Sequence, residues 1–283
     1  MSLPRVATIQ DISGVGRCSL TAAIPILSAM GVQACPLPTA VLSNQTAFES
    51  YAAISLTDQL ARSVAEWQKQ KLRFDAVCTG FFMDTAQASI AGEFIDYAKK
   101  EGAIILVDPV MGDDGSLYPI FGEEMRKSMR SLVRKADVIT PNLTEACLLA
   151  GIPYPGGLRG LASAAEIAQP VRKIAGELSG IGPHTVVITG VRAGDFIYNV
   201  AYDARADNLT SVGNRRVGGT YSGTGDIFSS ILCGALARGD DIPTAMELAR
   251  QLFEKALPLS VAQNTDPREG IAFERFLNIL FKE

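Results

Sequence analysis

Residues 218–239 read GGTYSGTGDIFSSILCGALARG. Gly218, Gly219, Gly223 and Gly225 crowd ahead of one carboxylate, Asp226, and a helix-compatible apolar run follows it. The first turn of a helix has N–H groups without intrahelical partners and a partial positive charge. Glycine lets that backbone approach an anion closely, because no Cβ stands in the way. Gly223, Thr224 and Gly225 therefore read as an anion cradle suited to a phosphate. Asp226 has two readings. It is an ordinary residue of a helix start, where aspartate is common, or it is a general base beside a phosphate, taking the proton of an attacking alcohol. At an unperturbed pKa of ~3.9 it is already ionised at neutral pH, and a positive helix terminus helps to keep it so.

Outward from this turn, strand and helix patterns alternate. RVATIQ (5–10) predicts a buried strand, and residues 18–30 a helix ended by Gly31. VQACPLP and TAVLS are two separate extended pieces. Helical spacing covers 56–71, with Trp67 on the core face. FDAVCTG (74–80) is a strand, 85–100 a helix and AIILVDP (103–109) a strand. Next come a helix over 121–135, the DVITPN strand and turn, a helix over 144–151, and a helix over 161–178 broken or kinked near Pro170. HTVVITG is a strand, and DFIYNVAYD and the segment after it look antiparallel. Helices follow Asp226, over 242–263 and over 271–281. This order predicts an α/β fold with a mostly parallel central sheet and helices on both faces. No linker, repeat or low-complexity tract divides the chain, so residues 1–283 read as one domain.

Bulk properties narrow the function. The 283 residues carry a net charge of -4, which argues against a general nucleic-acid binder. Cys18, Cys35, Cys78, Cys147 and Cys233 show no metal-ligand spacing and read as small buried hydrophobes in a reducing cytoplasm. No apolar run is long enough to span a membrane. The one histidine, His184, sits at a strand start, so neither a Ser-His-Asp triad nor a histidine zinc site is supported.

In parallel α/β sheets ligands bind beyond the carboxyl ends of the strands. Asp11, Gly80, Asp108, Asn142 and Gly190 all fall at predicted strand ends. VDPVMGDDGSLY (107–118) adds Asp113 and Asp114, either a plain Asp-Gly turn or hard oxygens of the kind magnesium takes near a phosphate. In TPNLTEA (140–146), Asn142 and Glu145 stand three apart at a helix start. They are a capping pair or an indirect contact to magnesium and phosphate.

GTGD at 223–226, NxxE at 142–145, DPVMGDDGSLY and the opening IQDISGVGRCSLTAAIPILSAMGV together resemble the ribokinase superfamily. Within it they are most similar to the pyridoxal/pyridoxine/pyridoxamine kinase branch, over about residues 5–280. The resemblance implies a ribokinase-like fold and an ATP-dependent kinase acting on the 5′-hydroxymethyl group of a B6 vitamer. It implies Asp226 as catalytic base, with Gly223, Thr224 and Gly225 as the anion hole. It places Asp108, Tyr118, Thr140, Asn142, Glu145 and Thr189 toward the nucleotide, and Asp108, Asp113 and Glu145 toward Mg2+. It leaves open a K+ ion at the phosphates. On the substrate side it implies Asp11, where the family commonly has serine, with Thr46 and Gly80. The family's His-Thr pair reads Gln45-Thr46 here. An aspartate at position 11 either accepts a hydrogen bond from a pyridine 3-hydroxyl or pairs with a protonated ring or amine, and pyridoxamine is the favoured vitamer. A cytoplasmic homodimer, with ATP and a small pyridine or pyrimidine alcohol as its partners, is the further implication.

Three other readings compete. Another kinase of the superfamily, such as a hydroxymethylpyrimidine or sugar kinase, uses the same phosphate machinery. A dinucleotide oxidoreductase would need a third glycine in GVGRCS, where residue 19 is serine. A non-catalytic regulator is disfavoured by the intact Asp226 and Glu145.

Overall fold

The computed structural model describes residues 3–158 and 160–281. The chain forms two compact units, Met1–Ile104 with Val217–Glu283 and Ile105–Arg216.

The first unit opens with β1 (Arg5–Ser13), α1 (Ser19–Ala29), β2 (Gln33–Leu42), β3 (Ala53–Ser55), α2 (Thr57–Lys69), β4 (Ala76–Thr79) and α3 (Thr85–Lys100). β1 pairs in parallel with both β2 and β4, and β3 adds antiparallel to β2 through Ala40–Leu42. The two extended pieces expected around Pro36 and Pro38 are one strand. Proline lacks an N–H and is tolerated where one side of a strand has no partner to receive it. β3 pairs only with residues 40–42, so the earlier part of β2 bonds to β1 alone. α3 starts where predicted, because the Asp84 carboxylate accepts from the Gln87 amide at 2.9 Å. Trp67 stacks on Phe74 at 5.0 Å and meets Phe94 edge-on, as its place on the core face of α2 implied.

The second unit holds β5 (Ile104–Val107), a hairpin of β6 (Gly112–Asp113) and β7 (Ser116–Leu117), α4 (Glu123–Val133), β8 (Val138–Ile139), α5 (Leu143–Ala150), α6 (Ala164–Ser179), β9 (Thr185–Ala193), β10 (Phe196–Asp203) and β11 (Asn208–Arg215). β8 pairs in parallel with β5 and β9, and β10 and β11 extend the sheet antiparallel beyond β9. α6 runs unbroken through Pro170. Residues 112–117 are a hairpin rather than a plain loop. Asp114 and Gly115 take φ of 47° and 85°, the pair of positive angles that a two-residue hairpin turn of the I′ type demands.

The chain returns to the first unit with α7 (Thr224–Ala237) and α8 (Ile242–Ala262). α7 packs on α1, β1 and β4, and residues Ile227–Ala235 are buried. The last predicted helix is a 3-10 turn, Glu274–Leu280, with Phe276 N–H on the Phe273 carbonyl at 2.9 Å. All five cysteines are buried thiols. No described helix is long and apolar enough to cross a membrane.

Candidate active site

In the first unit the glycine turn closes onto α7. Gly223 is the N-cap, in the left-handed region at φ 79°. A Cβ there would lie 2.1 Å from the Arg17 carbonyl oxygen, so only glycine fits. Gly225 differs, because a Cβ at that position meets nothing within 4 Å. Thr224 donates its hydroxyl to the Tyr221 carbonyl at 3.3 Å. Asp226 follows in the first helical turn and is part-buried. Its carboxylate is drawn out of water, which pushes its pKa up to about 7. The Ser19 amide works against this shift, and the charge of Asp11 works with it. The expectation of an unperturbed carboxylate thus gives way to burial: loss of hydration outweighs the opposing amide.

Asp11 lies inside β1 rather than after it, where the β1–β2 register shifts between Gln10 and Ile12. Register irregularities of this kind re-aim side chains beside functional sites. Asp11 is buried, and both of its oxygens are engaged. One accepts from the Ser19 hydroxyl at 2.6 Å and the other from the Ser13 hydroxyl at 2.9 Å. Burial raises the Asp11 pKa, and these hydroxyls oppose the rise. The Cys18 thiol next to them is raised by burial and by both carboxylates, so it stays neutral. Gly80 follows β4, and a Cβ on it would fall 2.5 Å from Gln10 Oε1. Thr46 is exposed in the turn after β2. Its neighbour Gln45 is buried and points away into the fold, donating to the Arg268 carbonyl at 2.5 Å.

The second unit carries the other acidic cluster. Asn142 caps α5 by accepting from the Glu145 amide at 2.9 Å, and Glu145 returns a carboxylate oxygen to the Asn142 amide at 2.8 Å. The capping reading of this pair is therefore real, but it is not all that Glu145 does. Its other oxygen accepts from the Met111 amide at 3.0 Å, while Asn142 Nδ2 donates to the Gly112 carbonyl at 2.8 Å. The pair ties α5 to the β6–β7 hairpin. Glu145 is buried, and burial raises its pKa; these amides lower it, and the Asp113 charge adds to the rise. Asp113 itself is exposed. Gly115 N–H donates to Thr144 Oγ1 at 2.9 Å, which fixes the hairpin turn.

Asp108 is buried just after β5, and Thr140 just after β8 with a buried hydroxyl that has no partner. Thr189 lies in β9, its amide on the Pro141 carbonyl at 2.9 Å. Tyr118 is half-exposed beside Phe121. Among the described residues no group of three or more His, Cys, Asp or Glu side chains is gathered to hold a metal ion by itself. Ser13, Ser19, Met111 and Gly112 were missed in the sequence. Ser13 had a signal, since residues two apart on a strand share a face with Asp11. Ser19 had none.

The parallel strand pairings and the helices that alternate with them are those of an α/β small-molecule kinase of the ribokinase type. The chain belongs to the phosphomethylpyrimidine kinase family, whose model matches residues 16–269, and within the ribokinase superfamily it groups with the pyridoxal kinases. It is similar to a crystal structure of a phosphomethylpyrimidine kinase of Bacteroides thetaiotaomicron in a form with pyridoxal. That similarity is 39% identity and a TM-score of 0.90, covering 99% of this chain and 96% of that one. The pyridoxal kinase of Lactobacillus plantarum is 33% identical with a TM-score of 0.86, covering 99% and 97%. A pyridoxine/pyridoxal/pyridoxamine kinase of Bordetella avium is 27% identical over 89% of this chain and 84% of its own length.

Proposed function

We propose that this protein is an ATP-dependent kinase, a single catalytic domain that phosphorylates the 5′-hydroxymethyl group of a B6 vitamer: pyridoxal, pyridoxine or pyridoxamine. The observation that carries the reading is Asp226, part-buried in the first turn of α7 behind the left-handed Gly223 N-cap, where burial raises its pKa to about 7. A general base is most effective when its pKa lies near the working pH. Asp226 accepts the proton of the 5′-hydroxyl as that oxygen attacks the γ-phosphorus; the bond to the bridging oxygen breaks and ADP leaves. The Gly223, Thr224 and Gly225 amides hold the transferring phosphoryl group, and the open space at Gly225 leaves room for it. Asp11, Thr46 and Gly80 face the vitamer, and the Asp11 carboxylate favours the cationic amine of pyridoxamine.

Asp108, Tyr118, Thr140, Asn142, Glu145 and Thr189 serve the nucleotide. The partnerless Thr140 hydroxyl is a buried group that a nucleotide oxygen would satisfy. Asp108, Asp113 and Glu145 are the residues that would hold Mg2+. The donor chemistry fits: Glu145 and Asp113 repel one another, and magnesium takes few carboxylates, keeping waters and phosphates as its other ligands. When bound it neutralises phosphate charge. The working unit in this reading is a cytoplasmic homodimer.

The family's own description favours a second reading, hydroxymethylpyrimidine as the alcohol. One experiment separates them. The purified protein is given ATP, Mg2+ and each of the three vitamers or hydroxymethylpyrimidine, and ADP release and the phosphorylated product are measured. Faster 5′-phosphate formation from a vitamer than from the pyrimidine is expected. The reverse order would replace the first reading with the second, and no phosphorylation of either would remove both.

A further inference from the structure

Asn199 closes a gap in the sheet of the second unit. Between the pairs Tyr198–Val191 and Val200–Ile188, β10 contributes Asn199 alone, whereas β9 contributes both Thr189 and Gly190. An extra residue of this kind is a bulge. It interrupts the ladder, leaves a residue unpaired and recurs beside active sites, where it re-aims a side chain. Here the Gly190 amide donates to Asn199 Oδ1 at 3.1 Å, so a side chain supplies the acceptor that the ladder does not. Gly190 takes φ 69°, an angle that glycine adopts freely. Thr189 is held from the opposite side. Its amide donates to the Pro141 carbonyl at 2.9 Å, its hydroxyl lies 3.5 Å from the same oxygen, and the residue bridges in parallel to Asn142. β8 itself ends at Ile139, so this bridge carries the pairing on into the turn that holds Thr140 and Asn142.

We propose that Asn199 is a positioning residue for the nucleotide: its side chain holds the bulge at Thr189 and Gly190, and the bulge seats Thr189 beside Thr140 and Asn142. The inference rests on the reading of those three as nucleotide residues. Thr189 answers two neighbours at once, the 140–142 turn on one side and β10 on the other. A slip of one residue between strands turns side chains to the opposite face of a sheet, and the bulge absorbs that slip at one place. The place is where β9 passes from core to surface: Ile188 is buried, Thr189 half-buried and Gly190 exposed. Without the Asn199 oxygen, nothing in β10 holds the Gly190 amide in its left-handed turn, and Thr189 loses its fixed seat. Asn199 acts through Thr189 and not by a contact of its own.

The test uses the full-length protein carrying Asn199→Ala, Asn199→Asp, Thr189→Val, or Asn199→Ala together with Thr189→Val. KM for ATP, KM for the vitamer and kcat are measured beside thermal melts. Asn199→Ala is expected to raise KM for ATP roughly threefold to tenfold, the worth of one hydrogen bond, with KM for the vitamer unchanged. Asn199→Asp keeps an acceptor oxygen for the Gly190 amide and is expected to recover most of that loss. Residues that act through one another are not additive, so the double variant should show a KM for ATP no higher than Thr189→Val alone. A role confined to folding lowers the melting temperature and leaves KM for ATP at the parental value, and that result overturns the proposal. A joint rise of both KM values overturns it too, as do multiplied effects in the double variant. Should Asn199→Ala not fold, Asn199→Ser takes its place with the same expectations, since its oxygen is shorter by one bond. Thr189→Val with the parental KM for ATP ends the nucleotide reading of Thr189 instead, and the two failures are read from different variants.

Discussion

Asn142 and Glu145 hold each other: the Asn142 side chain accepts from the Glu145 amide at 2.9 Å, and the Glu145 carboxylate accepts from the Asn142 amide at 2.8 Å. With its second oxygen on Met111 N–H, Glu145 satisfies two amides in a buried setting. Glu145→Ala leaves both without an acceptor, at a cost of about 1–3 kcal/mol for each buried group left unmade. The melting temperature is expected to fall by several degrees. Asn142→Ala costs only about 1 kcal/mol, the ordinary loss of an N-cap. Parallel thermal melts check the order, and equal losses would mean that the Met111 contact contributes nothing.

Asp226→Asn is expected to cut turnover by orders of magnitude while ATP binding, read by calorimetry, survives. Near-normal turnover in this variant would end the base assignment.

The pH dependence of stability follows from the same residue. Asp226 has a folded-state pKa of about 7 against an ordinary value of 3.8. Its protonated form is therefore favoured in the folded protein. The associated stability is present below the ordinary value and is lost as pH rises through about 7. Asp226→Asn should melt higher than the parent at pH 8 and about equally at pH 4, where both side chains are neutral. A gap that widens toward acid pH would reverse the sign and refute the shift.

Gly223 and Gly225 separate structure from function within one turn. Gly223→Ala drives a Cβ to 2.1 Å from the Arg17 carbonyl at a left-handed angle, so loss of stability well beyond the strain of about 1–2 kcal/mol is expected. Gly225→Ala meets no atom within 4 Å and should melt like the parent. If that space takes the phosphoryl group, its kcat still falls. A Gly225→Ala enzyme with unchanged melting and unchanged kcat would remove the turn from the catalytic machinery.

Thr140→Val replaces a partnerless buried hydroxyl with a methyl group of the same shape. Such a swap is close to neutral for stability. KM for ATP should rise if the hydroxyl meets the nucleotide, and an unchanged KM would take Thr140 out of that site.

What could be read directly from the chain was local. Gly223–Asp226 and Asn142–Glu145 lie within four residues of one another, so a glycine's freedom, a helix terminus and a three-residue spacing are enough to predict the turn and the cap. The α3 bounds followed from amphipathic spacing in the same way. Tertiary structure decided whatever depended on distant partners. Pro36 and Pro38 did not split β2, because the unpaired side of that strand is set by where β3 pairs. Glu145 reached Met111 across 34 residues. The raised pKa of Asp226 arises because α7 packs on α1 and β1 and partly encloses its carboxylate. Hydration, unlike spacing, is a property of that enclosure, and it exists only once the segments have packed.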